Sequence, residues 1–367
     1  MKKYIPLHVH SHYSLLDGLS RPKQIAQRCV DIGVKSCAIT DHGNIAGAAQ
    51  VHAALKSKGI KPILGCELYI CDQHASMKDK SNGKLSHFIV LAKNLQGWNT
   101  LVKIISESNK PEHFYRKPRL SIDQLAEIVD ENIIGFCGHL GSYLANKILS
   151  NDEIVDNWKS IATTEVKKLK KIFGDNFFLE TQLMDKELNP AQISLAECIR
   201  ELSKDLGVRA ICTPDAHYAN QKDAIDQRIL LCNNLKTTLP EINRKLSNEE
   251  DVPMSTFFIS DKKLEDMIQD VLTKGGDPPA NKIRKIIFKD YSGLTANEKM
   301  SIVGKLIGRS SRVDGEAIYQ CMLDLNDMGK TITWSRIAGL LNCSTRTIQR
   351  NLNDCLRKEK AILNEEI

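Results

Sequence analysis

The chain has 367 residues, 42% of them hydrophobic and 26% charged, with a formal net charge of +6; that length is enough to bury a core and to hold two or three domains. No run of eighteen apolar residues occurs and the opening MKKYIPLHVH has no apolar leader, so neither a membrane span nor a secretory signal is expected. The eleven Cys form no C-x-x-C pair, which argues against a disulfide framework and for a reducing cytoplasm, with Cys37, Cys137 and Cys212 as buried thiols in apolar runs.

In chain order, seven short apolar runs read as strands: Ile5–Val9, Ser36–Thr40, Lys61–Ile70, His87–Ala92, Ile133–Cys137, Asn176–Glu180 and Arg209–Thr213. Helix-like segments lie between them at Arg21–Ile32, Asn44–Ser57, Gln96–Ser106, Ile122–Val129, Asp152–Ile172 and Pro190–Leu206. Ser20 before Arg21-Pro22 and Asn189 before Pro190 are expected N-caps with Pro in the first turn. Alternation on this scale implies βαβ units and a parallel sheet. Seven units suggest a closed barrel with its chemistry at the C-terminal strand ends. Thr237–Thr256 reads as irregular, Phe257–Ser260 as a short strand and Asp261–Leu272 as a helix. Lys274-Gly-Gly-Asp-Pro-Pro279 is the clearest linker, and a helical pattern follows it.

Candidate ligands gather at the strand ends. The first run carries His8-x-His10, whose side chains share one face of a strand, followed by Asp17. The second ends in Asp41-His42, the third contains Glu67, the fourth opens on His87, the fifth leads to His139 and the seventh to Asp215-x-His217. The sixth offers only Glu180, a lesser candidate. Six His, two Asp and one Glu exceed the three or four ligands that one metal draws from protein, and suit two or three metals bridged by carboxylates. Asp41 is expected to orient its neighbour or a loop amide. His12, His52, His74 and His113 are expected to stand outside the cluster.

The segments HVHSHYSLLDG, ITDHGN, PILGCELYI, HFIVLAKN, FYRKPRL and CTPDAHY resemble the PHP (polymerase and histidinol phosphatase) domain, in the version that opens the bacterial DNA polymerase III alpha subunit. The resemblance runs from residue 1 to about 265. It implies an α/β fold, a distorted seven-stranded β/α barrel, with two to three divalent ions of zinc, manganese or iron. It also implies the grouping: His8, His10, Glu67 and Asp215 on one metal; Glu67, His87 and His139 on a second, with Glu67 bridging; Asp17, His42 and His217 on a third. All nine positions hold a residue able to ligate metal, which points to an active hydrolase. The polymerase body of that subunit has no room here, and no Walker A motif occurs.

The expected organisation is a PHP phosphoesterase domain at 1–265, a linker at 266–280 and a small all-α domain at 281–367. The last segment carries fifteen Lys and Arg against ten Asp and Glu, most of the basic excess of the chain, which hints at an acidic partner. Within it, residues 331–355 read as a helix-turn-helix, with Trp334–Leu341 as the first helix, Asn342–Ser344 as the turn and Thr345–Cys355 as the recognition helix. Ile337, Leu341, Ile348 and Leu352 would face the core, and Thr345, Arg346, Gln349 and Arg350 a DNA groove; the alternative is a protein-docking module. In the barrel, Arg116, Lys117 and Arg119 are candidate phosphate clamps.

These features together imply a metal-dependent phosphoesterase acting on DNA, a 3′–5′ exonuclease of replication or repair that uses a metal-activated hydroxide, and not a polymerase by itself. Expected partners are single-stranded DNA or a 3′ end at the barrel, duplex at the tail, and replication proteins. The cytoplasm of a bacterium or a phage-infected host is the expected setting. The alternatives are a small-molecule phosphatase of the histidinol-phosphate type and a non-catalytic replication docking module.

Overall fold

The computed structural model of the chain describes residues 5–182, 190–245, 295, 313, 315–327, 329–341 and 343–365. The linker at 274–279, the strand at 257–260, the helix at 261–272, the cap at Asn189 and the 265/281 boundaries all fall outside those residues. The chain divides into two compact units, Met1–Ile287 and Phe288–Ile367.

The first unit is α/β. Six strands form one curled sheet in the order β1-β2-β3-β4-β7-β8: β1 (Ser36–Ile39), β2 (Lys61–Cys71), β3 (Leu85–Ala92), β4 (Ile133–Cys137), β7 (Phe177–Gln182) and β8 (Ala210–Thr213). A two-stranded hairpin, β5 (Leu149–Ser150) with β6 (Glu153–Ile154), stands apart. The sheet is mixed rather than all parallel as expected, because β3 runs antiparallel to both β2 and β4. Residues 72–84 return the chain from β2 to β3 with no α-helix among them, only the 3-10 turn Lys80–Asn82, and without a crossover helix the two strands pair as a hairpin.

The run expected as the first strand is not a regular one. Its backbone instead reaches both edges of the sheet. Ala38 N–H donates to Pro6 O and Thr40 N–H to Val9 O, both at 2.9 Å, on the β1 side. On the β8 side His10 N–H donates to Ala216 O at 2.8 Å and Ala216 N–H to His8 O at 3.2 Å.

Strands buried on both faces explain why their sequences read as continuous apolar runs. One face packs inward as Ala38, Ile63, Ile89, Leu91, Ile134, Phe136, Phe178 and Ile211, joined by Leu7. The other packs outward: Cys66, Leu68, Ile70, Phe88, Val90, Phe177 and Leu179 in one layer, and Cys37 and Ile39 against Ile25, Cys29, Val51 and Leu55. Those four belong to α1 (Pro22–Asp31) and α2 (Ala48–Ser57).

Local chemistry moved several boundaries. Arg21, not Ser20, takes the N-cap of α1; the Ser20 hydroxyl instead accepts from Ala219 N–H at 2.7 Å. Helix α2 starts late because the Asn44 amide is tied to Tyr13 O and His42 O, both at 3.0 Å. The β5–β6 hairpin takes the place of the start of the long helix expected from Asp152, which begins at Trp158, and a separate helix at Tyr143–Ile148, capped by Ser142, comes before the hairpin. Part of the stretch expected to be irregular is helical, Leu239–Lys245.

In the second unit, helices lie at Gly315–Asp327, Trp334–Leu340, Thr345–Arg350 and Asp354–Glu365. Ile318, Met322, Ile332, Ile337 and Ile348 form its core, with Leu341 and Leu352 partly buried against them. The helix expected to reach Cys355 stops at Arg350. Asn351 donates its amide back to Thr347 O at 2.9 Å, and Asn353 accepts from Leu356 N–H at 2.8 Å. Side chains that compete with the backbone in this way close one helix and start the next.

One glycine decides how the sheet delivers its ligands. Gly138 has φ +152°, and a Cβ there would lie 2.0 Å from Glu180 O. Gly138→Ala should therefore destabilise the fold by about 2 kcal/mol or more, read as a lower urea midpoint with an unchanged slope.

Candidate metal centre

The inward face changes from apolar at one end of the sheet to ionisable at the other. Side chains two apart share a face. Ile63 therefore leads to Glu67 on β2, Phe178 to Glu180 and Gln182 on β7, Ala38 to His42 beyond β1, and Ile211 to Asp215 beyond β8. On β3, Ile89 leads backwards to His87, since an antiparallel strand brings its start to the end where its neighbours finish. Only His139 is out of phase: Phe136 faces inward and Cys137 outward. The backbone turn at Gly138 resets the phase and turns His139 in. Asp215, in the left-handed region at φ +48°, is held there by Gln182 Nε2, which donates to its Oδ2 at 2.6 Å.

All nine candidate ligands meet. Glu67 Oε2 lies 3.4 Å from His8 Nε2, 3.2 Å from His10 Nε2 and 2.7 Å from His42 Nδ1. Its Oε1 lies 2.9 Å from His87 Nδ1 and 3.1 Å from His139 Nε2. Asp215 Oδ1 is 3.2 Å from both His8 Nε2 and His10 Nε2. Asp17 Oδ2 is 3.0 Å from His42 Nε2 and 3.5 Å from His217 Nε2. Four triads have ligand atoms within 4.8 Å of one another: His8–His10–Asp215, His8–Glu67–His139, His42–Glu67–His87 and His10–His42–His217.

The atoms at the centre are those a cation would need. His8 Nε2, His10 Nε2, His42 Nδ1, His139 Nε2, Glu67 Oε2 and Asp215 Oδ1 are buried and make no well-formed hydrogen bond, although each lies within 3.4 Å of an oppositely charged neighbour in the cluster. Buried polar atoms are almost always paired, so six that face one another fit a shared positive ion. The N/O donor set suits first-row divalent metals.

Behind the ligands stands a layer of side chains that fixes their orientation. Glu180, fully buried, accepts from His8 Nδ1 at 2.8 Å, from His139 Nδ1 at 2.7 Å and from the Thr213 hydroxyl at 2.6 Å. That turns both Nε2 atoms toward the centre, where they are acceptors once the imidazole is neutral. Asp41 accepts from Ser11 N–H, Ser11 Oγ and Ser14 Oγ at 2.7–2.8 Å. With its proton given to Asp41, Ser14 Oγ accepts from His10 Nδ1 at 3.0 Å and from His42 N–H at 3.1 Å. Ser14, Thr213 and Gln182 carry no signal in the sequence as site residues. Glu180 does, as a carboxylate on the inward face of its strand, and its place is behind two ligands rather than among them.

The electrostatics follow. Burial opposes charge on the imidazoles, yet the neighbouring carboxylates outweigh it: His42 rises to about 10, His139 and His217 to about 9, and His8 well above its usual range. Burial and the flanking His42 and His217 lower His10. Against burial, the imidazoles hold Glu180 down to about 2 and Glu67, Asp17 and Asp215 well below the carboxylate range. The cluster is closed on one side, with His8 and His10 side chains at 0% exposure, and open on the other, at Asp17 (22%), His42 (13%) and His87 (27%).

The open side is rimmed by Tyr69, whose ring is 5.3 Å from His87 and 5.8 Å from His42. Lys117 Nζ lies 5.2 Å over the Tyr69 ring. Arg116 is exposed beside Tyr115. Arg119 is a correction: it is fully buried, and its guanidinium donates to Asn82 O, Ala75 O and Met77 O at 2.5–3.0 Å. It ties down the β2–β3 connection and offers substrate nothing. His12 packs on Tyr13 at 4.3 Å between ring centres, and His52, His74 and His113 lie away from the cluster. Thr345, Arg346, Gln349 and Arg350 are exposed on their short helix, with Ile348 buried beneath them.

Residues 6–183 match the family model described as the PHP domain. The chain is 36% identical over 235 residues to the DNA polymerase III subunit alpha of Borreliella burgdorferi, covering 63% of this chain and 19% of that protein. It is 35% identical over 246 residues to the same subunit of Treponema pallidum, covering 66% and 20%. The chain thus spans about a fifth of the length of these relatives. A two-domain protein of Bacteroides vulgatus, containing a predicted PHP-like metal-dependent phosphoesterase, is similar at 15% identity and a TM-score of 0.37, over 60% of this chain and 53% of that one.

Two outcomes are expected. Glu180→Gln should lower divalent-metal affinity by about 10- to 100-fold, since it removes the charge that orients His8 and His139; competition with a fluorescent chelator measures it. Folded pKa values above the unfolded 6.5 mean that the metal-free protein holds protons on His42, His139 and His217 at neutral pH. That contribution to stability is complete below about 6.5 and is lost as pH rises through 9 to 10. Metal must displace those protons, so its affinity should climb from pH 6 toward pH 9 with measurable proton release, read by calorimetry in buffers of different ionisation enthalpy.

Proposed function

Because residues 6–183 are a PHP domain, we propose that the chain is a metal-dependent phosphoesterase that acts on DNA, as a 3′–5′ exonuclease in replication or repair. One observation carries the hydrolase: nine ligand-type side chains on one cluster, six of whose inward atoms are buried, face one another and make no well-formed hydrogen bond. The relatives' name supports the nucleic-acid context.

Two to three divalent ions of zinc, manganese or iron would be held by His8, His10, Glu67 and Asp215; by Glu67, His87 and His139; and by Asp17, His42 and His217. Such ions polarise a phosphoryl oxygen and lower the pKa of water enough to make a nucleophile at neutral pH. The protein's own residues do the rest. Glu180 and the Asp41–Ser14 pair hold His8, His139 and His10 rigid with their Nε2 atoms inward. The exposed flank at Asp17, His42 and His87 is where a phosphodiester would approach. Lys117, over Tyr69, is placed to hold its charge, and Tyr69 offers an aromatic face to a base.

The second unit would add duplex affinity through Thr345, Arg346, Gln349 and Arg350. Four exposed polar side chains on one helix over a buried Ile348 suit a phosphate backbone, and a protein partner is the competing occupant. No helix among the described residues is long and apolar enough to cross a membrane, and the proposed setting is the cytoplasm of a bacterium or an infected host.

End-labelled DNA incubated with the purified protein across a metal series tests the reading. Progressive shortening from the 3′ end that stops on chelation is the expected result; hydrolysis of small phosphomonoesters alone would favour a small-molecule phosphatase, and no hydrolysis with any metal a docking module. Asp215→Asn should reduce the rate by more than the ~10- to 100-fold typical of an outer-shell change, with the circular-dichroism spectrum unaltered.

A further inference from the structure

The two helices packed against β1 leave a groove between them that the proposed chemistry does not use. It has a volume of about 1140 Å³ and runs between α1 and α2. That exceeds the roughly 300–1,000 Å³ of a site for one small molecule. Ala26, Ala53 and Ala54 line it together with methylene and ring surface, and Arg21, Lys23 and Lys58 supply its charge, with no carboxylate among the lining residues. None of those three cations is ion-paired among the described residues. At one end the groove is bounded by His12 and Tyr13, whose rings pack at 4.3 Å. Tyr13 lies flat against the start of α2, where a Cβ on Gly47 would come within 2.5 Å of its ring.

The loop that bounds the groove also carries two of the candidate ligands, His10 and Asp17. His12 is two residues past His10, so its Cα is within about 7 Å of that residue. The same loop continues to Asp17, and Asp41 pins it by holding Ser11 and Ser14. An apolar floor, cationic edges and an aromatic pair on the loop that leads from His10 to Asp17 match what single-stranded nucleic acid requires: phosphates along the charges, bases on the flat surfaces.

We propose that the α1–α2 groove is the track along which a single DNA strand is led to the cluster. The inference rests on the reading of DNA as substrate, and binding and cleavage are therefore read separately. The probe is fluorescein-labelled, nuclease-resistant phosphorothioate (dT)20, titrated by anisotropy against the full-length metal-loaded protein. Arg346→Ala and Arg350→Ala are present throughout, so that the second unit contributes least. Adding Arg21→Ala, Lys23→Ala and Lys58→Ala should weaken binding at low salt by about tenfold or more. It should also reduce the slope of log affinity on log salt by about 2, as the loss of three phosphate contacts requires at ~0.7 each. A charge-matched control on the far helix, Lys167→Ala, Lys170→Ala and Lys171→Ala, should bind as its parent does. No loss in the groove variant, an equal loss in the control, or no binding by the parent overturns the track. Groove-dependent binding in a protein that cleaves no ordinary DNA would leave the track standing and sink the exonuclease reading instead.

Discussion

A single buried carboxylate sets the terms for the first unit. Glu67 is 1% exposed, and five imidazoles, those of His8, His10, His42, His87 and His139, lie within 3.4 Å of its two oxygens. An isolated charge in such a place would cost several kcal/mol. Here the cost is offset only by cationic neighbours, whether protonated imidazoles or metal. The fold must bring those five from four separate segments of chain, and so it must solve register and direction together. β2 delivers Glu67 midway along its length, the irregular first segment delivers two imidazoles, and β3 has to enter from the site end.

Rigidity then comes from groups that touch no central atom. Glu180 engages two imidazoles and Thr213 at once, and Ser14 joins His10 and His42 to Asp41. Each outer partner is itself saturated with hydrogen bonds, which makes a buried polar network stabilising rather than costly. The inner atoms are the opposite, polar and crowded together without a well-formed hydrogen bond. Saturation outside and frustration inside, within a few ångströms, is strain that a fold retains where a ligand relieves it.

Much of this was legible in the sequence because the ligands are strongly patterned. His8-x-His10, Asp215-x-His217 and Glu67 within an apolar run follow the two-residue period of a strand, and all six strands of the sheet lie within two residues of the expected spans. Direction was not legible. An apolar run reads the same whether its neighbour is parallel or antiparallel, so His87 at the start of its strand made sense only once β3 was seen to be reversed. The burial of Arg119 is hidden from sequence for a related reason. FYRKPRL presents three cations within four residues, and sequence cannot say which one the backbone turns inward; Arg119 goes beneath three carbonyls and Lys117 stays at the rim. The helix past Arg350 failed because Asn351 and Asn353 bond locally, an effect of one or two side chains against a periodic pattern.

Exposure orders the site from back to front. His8 and His10 are sealed, their rings locked by Glu180 and Ser14, while Asp17, His42 and His87 meet solvent. The sealed side is where the chain runs between β1 and β8, so the same backbone hydrogen bonds that join the two edges of the sheet also fix two ligands. The open side is built from loops, those after β1 and after the first segment, together with the start of β3. Loops tolerate change where edge-joining strands do not. The inner imidazoles are therefore tied to the stability of the fold itself, whereas the rim loops at Asp17 and Lys117 can vary without unmaking the sheet; Tyr69, in β2, belongs to the paired strands. A change of substrate in such a fold would be expected at the rim, and a loss of the buried ligands would have to be accompanied by new packing beneath Glu67.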